Sequence, residues 1–150
     1  SYEIMEINHI DKLCIENTKS LLIEFSNDVW HEWVCDFLSY LVNEKKITPV
    51  VAHFERLLYA NQNMNLLNKL IEMNVMIQIN AESFLNRKTK KKIKWLINKD
   101  ILCVLGSDAH NVSNRKPKLC EARDVIIKEF GAEKLEGMLS NSKSLLRAVK

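Results

Sequence analysis

The 150-residue chain has no apolar run approaching the roughly 18 residues that span a bilayer. Nothing at its N-terminus resembles the apolar core of a secretion signal. It has no Cys-x-x-Cys pair; Cys14, Cys35, Cys103 and Cys120 stand far apart. None of the four is followed six positions later by arginine, which excludes the phosphate loop of cysteine-dependent phosphatases. Linkers and low-complexity segments are missing, and the net charge is only +3, too mild to call for nucleic acid or an anionic membrane. These absences exclude a membrane span and a disulfide framework. They point to a cytoplasmic chain with reduced, partly buried thiols.

What is present is one domain's worth of ordinary globular sequence, 47% hydrophobic and 27% charged. Four short apolar runs read as buried strands, starting near Leu21, Thr48, Val75 and Ile101. Two further short strands are expected at Ile4–Ile7 and Lys12–Ile15, with His9 in a turn between them. Helical spacing fills each gap between the four firm strands. Trp30, Trp33, Val34, Phe37, Leu38 and Leu41 mark a helix from about Asp28 to Glu44. Met64, Leu67, Leu70 and Ile71 mark a second over Asn63–Met73, and Ile93, Leu96 and Ile97 a third over Arg87–Asn98. The third carries Arg87, Lys88, Lys90, Lys91, Lys92 and Lys94, which read as a solvated face rather than a nucleic-acid surface. Leu119, Ala122, Ile126 and Phe130 mark a helix with Pro117 in its first turn and Gly131 at its end. Two shorter helices are expected at Ala132–Leu139 and Ser142–Val149.

The strand starts lie 27, 27 and 26 residues apart. Strand–helix alternation at that spacing predicts βαβ units and a parallel sheet, an α/β fold. In such sheets and barrels the site lies at the carboxyl ends of the strands. There stand Glu24 in LLIEF, His53 and Arg56 after TPVVA, Asn80 after VMIQI, and Asp108 and His110 after ILCVLG. Alone, Asp-x-His describes a hydrogen-bonded loop as well as a pair of metal ligands. Together these residues put two carboxylates, two imidazoles and an arginine around one mouth. Oxygen and nitrogen donors suit Mn, Fe or Zn, and metals beside an arginine suit phosphate-ester hydrolysis by metal-activated water.

The segments LLIEF, PVVAHFER, QINAESF and GSDAHN, then Arg115, Pro117 and a terminal Asn141 with Leu145 and Leu146, stand in a familiar order. The chain resembles the metal-dependent tyrosine phosphatases of the polymerase-and-histidinol-phosphatase (PHP) superfamily, of the bacterial capsular and exopolysaccharide type. The resemblance implies part of a distorted TIM-like (β/α)7 barrel around a multinuclear cluster, usually of Mn2+. It implies Glu24, His53, Asp108 and His110 as metal ligands, with Arg56 and Arg115 holding the phosphate. The implied partner is the C-terminal phosphotyrosine cluster of a bacterial tyrosine kinase. The family's His-Pro-Glu-Arg reads His53-Phe54-Glu55-Arg56 here. Its opening His-x-His and Asp-Asp-Gly motifs have no counterpart before Glu24, so the chain is expected to match the C-terminal portion of such a domain.

The function expected is therefore a metal-dependent protein-tyrosine phosphatase. Two alternatives stand beside it. One is a small-molecule phosphatase of the histidinol-phosphate type. The other is a non-catalytic remnant acting by association, including homo-oligomers formed through open sheet edges.

Overall fold

The computed structural model describes residues 9–25, 32–60, 64–73, 75–99, 101–113 and 116–147. Four strands form one parallel sheet: β1 (Ser20–Ile23), β2 (Thr48–Val51), β3 (Met76–Asn80) and β4 (Cys103–Gly106). Their order in the sheet is their order in the chain, without the reversal that marks a doubly wound sheet. Each strand begins within two residues of its predicted start. Sequential parallel neighbours of this kind are what a segment of a (β/α) barrel is made of.

Strand alternation sends side chains to two faces. Val51, Ile77 and Cys103 join the larger core with the helices; their neighbours Val50, Met76 and Val104 join a smaller cluster on the other face. The larger core receives Val34, Phe37, Leu38 and Leu41 from α1 (Glu32–Asn43), with Leu38 and Leu41 wholly buried. Burying each such side chain stabilises the fold by about 1.5–3 kcal/mol. The predicted start of this helix, including Trp30, lies outside the described residues. Trp33 packs edge-on against Phe25, ring centroids 6.1 Å apart, so it is a core residue as expected.

Between β2 and β3 lie α2 (Phe54–Ala60) and α3 (Met64–Glu72). The run from Phe54, for which the sequence pattern gave no helix, coils at once, because Phe54 and Leu57 fall on one face and are both buried. After β3 come the short α4 (Ala81–Leu85) and the predicted lysine-rich helix, α5 (Arg87–Ile97). Asn86 caps α5 by accepting from the Lys88 backbone N–H at 2.9 Å.

α6 (Leu119–Phe130) starts two residues after Pro117, not around it, and Leu119 is exposed while Ala122 and Ile126 are fully buried. Gly131, at φ 93°, ends it as expected. The two closing helices predicted from sequence are one, α7 (Ala132–Leu145). Ser142 and Ser144 do not break it, because their hydroxyls donate to the carbonyls of Met138 and Asn141 at 2.9 and 2.7 Å. Leu145 at its end covers the smaller cluster, and its carbonyl accepts from Ser20 Oγ at 2.9 Å.

The expected strand at Lys12–Ile15 is instead a 3-10 turn, Ile10–Leu13, anchored by buried Ile10; Ile4–Ile7 lies outside the described residues. His9 is a turn residue, at φ 70°. No helix among the described residues is long and apolar enough to cross a membrane.

Candidate functional site

At the carboxyl end of the sheet each of the four strands ends in, or is followed within two residues by, a polar residue: Glu24, His53, Asn80 and Ser107. The register Ile23↔Val51 sets Glu24 next to the β2 exit, where His53 follows. Asn80↔Gly106 sets Asn80 next to the β4 exit, where Asp108 and His110 follow. Arg56 sits in the first turn of α2. His53 and Asp108 both adopt left-handed backbone, at φ 51° and 49°, a costly conformation for residues other than glycine. Two such residues facing each other at one cleft are a signature of a built site.

The side chains converge. His53 Nε2 lies 3.6 Å from Glu24 Oε1 and 3.7 Å from Asp108 Oδ1, and His110 Nε2 lies 3.2 Å from the same Asp108 oxygen. Arg56 spans both carboxylates, at 3.5 Å from Glu24 Oε1 and 3.1 Å from Asp108 Oδ2. His53 and Asp108 are mostly buried, with 14% and 16% of their side chains exposed; Glu24, at 60%, reaches in from the rim. Glu24 is thus an exposed carboxylate with Arg56 as its basic partner.

A polar frame fixes these groups. The His53 backbone N–H donates to Gln78 Oε1 at 3.0 Å, and Gln78 Nε2 donates to Asn80 Oδ1 at 2.8 Å. That oxygen lies 3.0 Å from His53 Nδ1, which fixes the ring with Nε2 turned toward the carboxylates. Asn80 Nδ2 donates to Asp108 Oδ2 at 3.4 Å. Buried Glu55 accepts from the Asn80 backbone N–H at 3.3 Å and from Ser83 Oγ at 3.0 Å, which holds the β3 exit and α4 in place. Gly106 has no side chain for a reason: a Cβ there would come within 2.8 Å of Gln78 Cδ.

This donor set fits a cation. An imidazole nitrogen and two carboxylate oxygens turned toward one another are the nitrogen and oxygen donors that such a cation takes. Two ligand atoms about 2.1 Å from one ion, at 90–120° to each other, stand ~3.0–3.6 Å apart. The pairs at 3.2, 3.6 and 3.7 Å lie at or just beyond that range. The donors meet as linked pairs: among the described residues no group of three or more His, Cys, Asp and Glu side chains is gathered as a metal shell. Beside them opens a cavity of about 460 Å³ whose wall includes Arg56, Asn80, Ser83, Asp108 and Lys116.

Comparison with known proteins places the chain in a family. A family described as capsular polysaccharide synthesis, CpsB/CapC, matches residues 2–147. The chain belongs to the CpsB/CapC family. Among its relatives is the tyrosine-protein phosphatase CpsB of Streptococcus agalactiae serotype V, 31% identical over 142 residues, covering 89% of this chain and 58% of that protein. The tyrosine-protein phosphatase YwqE of Bacillus subtilis is 33% identical over 138 residues, covering 90% of this chain and 54% of that protein. The chain thus spans a little over half the length of these CpsB/CapC relatives. The fold matches a chain from the crystal structures of YwqE from Bacillus subtilis and CpsB from Streptococcus pneumoniae, described as metal-dependent tyrosine phosphatases. That match has a TM-score of 0.80 and 28% identity, and covers 95% of this chain and 66% of the other. The parallel strands and helices of this chain therefore match part of that α/β fold.

Of the site residues predicted from sequence, Glu24, His53, Arg56, Asp108 and His110 are brought together, and Arg115 lies outside the described residues. Asn80, placed by the sequence at the carboxyl end of its strand, and Gln78 two residues before it are the frame behind His53. Glu55 and Lys116 were not anticipated. Glu55 offered one signal, a carboxylate between Phe54 and Leu57 on the buried side of a helix.

Proposed function

We propose that this chain carries metal- and phosphate-binding residues of a metal-dependent protein-tyrosine phosphatase serving capsule or exopolysaccharide synthesis. The observation that carries the proposal is the His53 imidazole, held by Asn80 so that Nε2 faces Glu24 and Asp108 while Arg56 bridges the same two carboxylates. Support comes also from the relatives, whose names are those of tyrosine-protein phosphatases.

Glu24, His53, Asp108 and His110 are the proposed metal ligands. A donor set of oxygens and nitrogens suits manganese, or iron or zinc, in a multinuclear cluster. When bound, the metal would supply Lewis-acid polarisation of the phosphoryl oxygens and an activated water. The chain's own residues do the rest. Asn80 holds the His53 proton at Nδ1, which keeps the ring in one tautomer and orientation. Arg56, 39% exposed and open to the cavity, turns its guanidinium from the carboxylates to the phosphoryl oxygens of an arriving ester. Arg115 is proposed to share that task. The proposed substrate is the phosphotyrosine cluster at the C-terminus of a bacterial tyrosine kinase.

The test is metal content together with manganese-stimulated hydrolysis of a phosphotyrosine peptide. Bound metal and turnover lost on chelation are expected. Turnover indifferent to chelator, or no metal and no turnover in this chain, would overturn the proposal.

A further inference from the structure

Charge is not spread evenly over the chain. Six of the 22 basic residues and none of the 19 acidic ones lie within α5, which leaves 16 basic against 19 acidic elsewhere. The helix sorts these six by side. Lys90 reaches Glu129 of α6 at 2.6 Å, and Lys92 donates to the Leu58 carbonyl at 3.3 Å, so both are held against the body of the protein. Arg87, Lys91 and Lys94 recur at four- and three-residue spacing and form one stripe, with Lys88 beside its start. All four are exposed, and none has a carboxylate partner among the described residues. Ile93, Leu96 and Ile97 face the core from the opposite side.

The first turn of α5 borders the candidate site, with the stripe on its outer face. Thr89, in the first turn of α5, lines the same 460 Å³ cavity as Arg56 and Asp108. Two other cations line that cavity. Lys118 is neutralised by Glu82 at 2.6 Å, whereas Lys116 has no carboxylate partner among the described residues. From Arg87 to Lys94 the helix rises about 10 Å, the length of roughly three residues of extended chain. A row of unneutralised cations leading to a cavity with one more is a track for several carboxylates, not a seat for a single ion.

We propose that the exposed face of α5 docks an acidic polypeptide segment whose phosphorylated side chain enters the adjoining cavity. The inference rests on the phosphatase reading above and deepens it: the substrate is a phosphoprotein with Asp or Glu flanking the phosphorylated residue. Nucleic acid is the less fitting occupant. The aromatic at the far end of the helix, Trp95, is only 36% exposed, and the Lys99 ammonium lies 5.7 Å from its ring centroid. That leaves no open stacking platform along the stripe.

The experiment uses two phosphotyrosine peptides of equal length, one with Asp and Glu flanks and one with Asn and Gln. Their affinities are read by fluorescence anisotropy at low and high salt. Wild type is expected to prefer the acidic peptide about ten-fold at low salt, with the preference fading as salt rises. The triple change Arg87→Glu, Lys91→Glu and Lys94→Glu should bring the ratio to one or below. The corresponding triple change to Gln should bring it near one, and serves if the Glu variant fails to fold. Equal affinity of wild type for both peptides overturns the inference. So does tighter binding of a single-stranded oligonucleotide of the same charge. Hydrolysis of the same peptides separates the two proposals: turnover without acidic preference sinks the docking surface alone. Acidic preference without turnover sinks the phosphatase reading and leaves the surface standing.

Discussion

The two ends of the sheet are built on opposite principles from the same four strands. At the carboxyl ends stand Glu24, His53, Asn80 and Asp108, with two left-handed residues, an arginine bridging carboxylates, and a polar cavity. At the amino end of β4 a smaller cavity, about 290 Å³, is lined by residues such as Ile97, Ile101, Cys103, Lys134, Met138 and Asn141. There α7 closes the structure, with Asn141 Nδ2 donating to the Cys103 carbonyl at 2.9 Å and Leu145 packing on the second face of the sheet. One end concentrates charged groups paired with one another; the other satisfies its polar groups locally and buries the rest. The strands therefore act as a rigid partition. The candidate site stands on one side and the closing helix packs on the other.

Three perturbations test that division. The largest effect is expected from Asp108→Ala, which strips His53, His110, Arg56 and Asn80 of a shared partner. Manganese-dependent turnover should fall about 10²–10³-fold, while the far-UV circular dichroism stays that of the wild type. A variant with full turnover would remove Asp108 from the site.

Gly106→Ala works on the boundary between the two ends. The new methyl meets the buried Gln78 side chain, so Gln78 must leave the His53 backbone N–H and Asn80. Overpacking of this kind costs about 1–3 kcal/mol. Denaturant titration should show that loss together with reduced turnover. Loss of stability with unaltered kinetics would mean that Gln78 does not position His53.

The smallest effect belongs to the amino end. Burial pushes the Cys103 thiol up to about 11, against a weaker lowering by the Lys134 charge. The folded protein thus keeps this proton to higher pH than the unfolded chain does. Its contribution to stability is complete below pH ~9 and is lost as the pH rises toward 11, amounting to about 1 kcal/mol at pH 10. Denaturation midpoints at pH 8 and pH 10, compared with those of Cys103→Ala, should show a smaller decline in the variant. Equal declines would remove Cys103 as the cause.

The four strands were legible because Leu21, Thr48, Val75 and Ile101 open apolar runs at near-constant spacing, and the placement of Glu24, His53, Asp108 and His110 followed from that alone. The start of α2 was also written in the chain, as Phe54, Leu57 and Leu58 at helical spacing. The helix was not anticipated, because His53 and Arg56 stand out there as site residues instead. α4 was not legible, since its start is held by Glu55, 25 residues before Asn80 in the chain. The frame of Gln78 and Asn80 behind His53 depends on cross-strand register, which no local pattern encodes. The unity of α7 was hidden by its serines. They signal a break in sequence, and lose that force once their hydroxyls find carbonyls within the helix.

The left-handed backbone at His53 and Asp108 has a consequence for how the protein would respond to selection. At these two positions glycine or asparagine would sit with less strain, so substitutions there carry a stability gain and a loss of the donor groups at once. A library screened for heat resistance alone would be drawn to them first. The survivors would hold the same fold with an inert mouth. Screening for stability and turnover together should leave both residues untouched and place its improvements on the α7 side of the sheet.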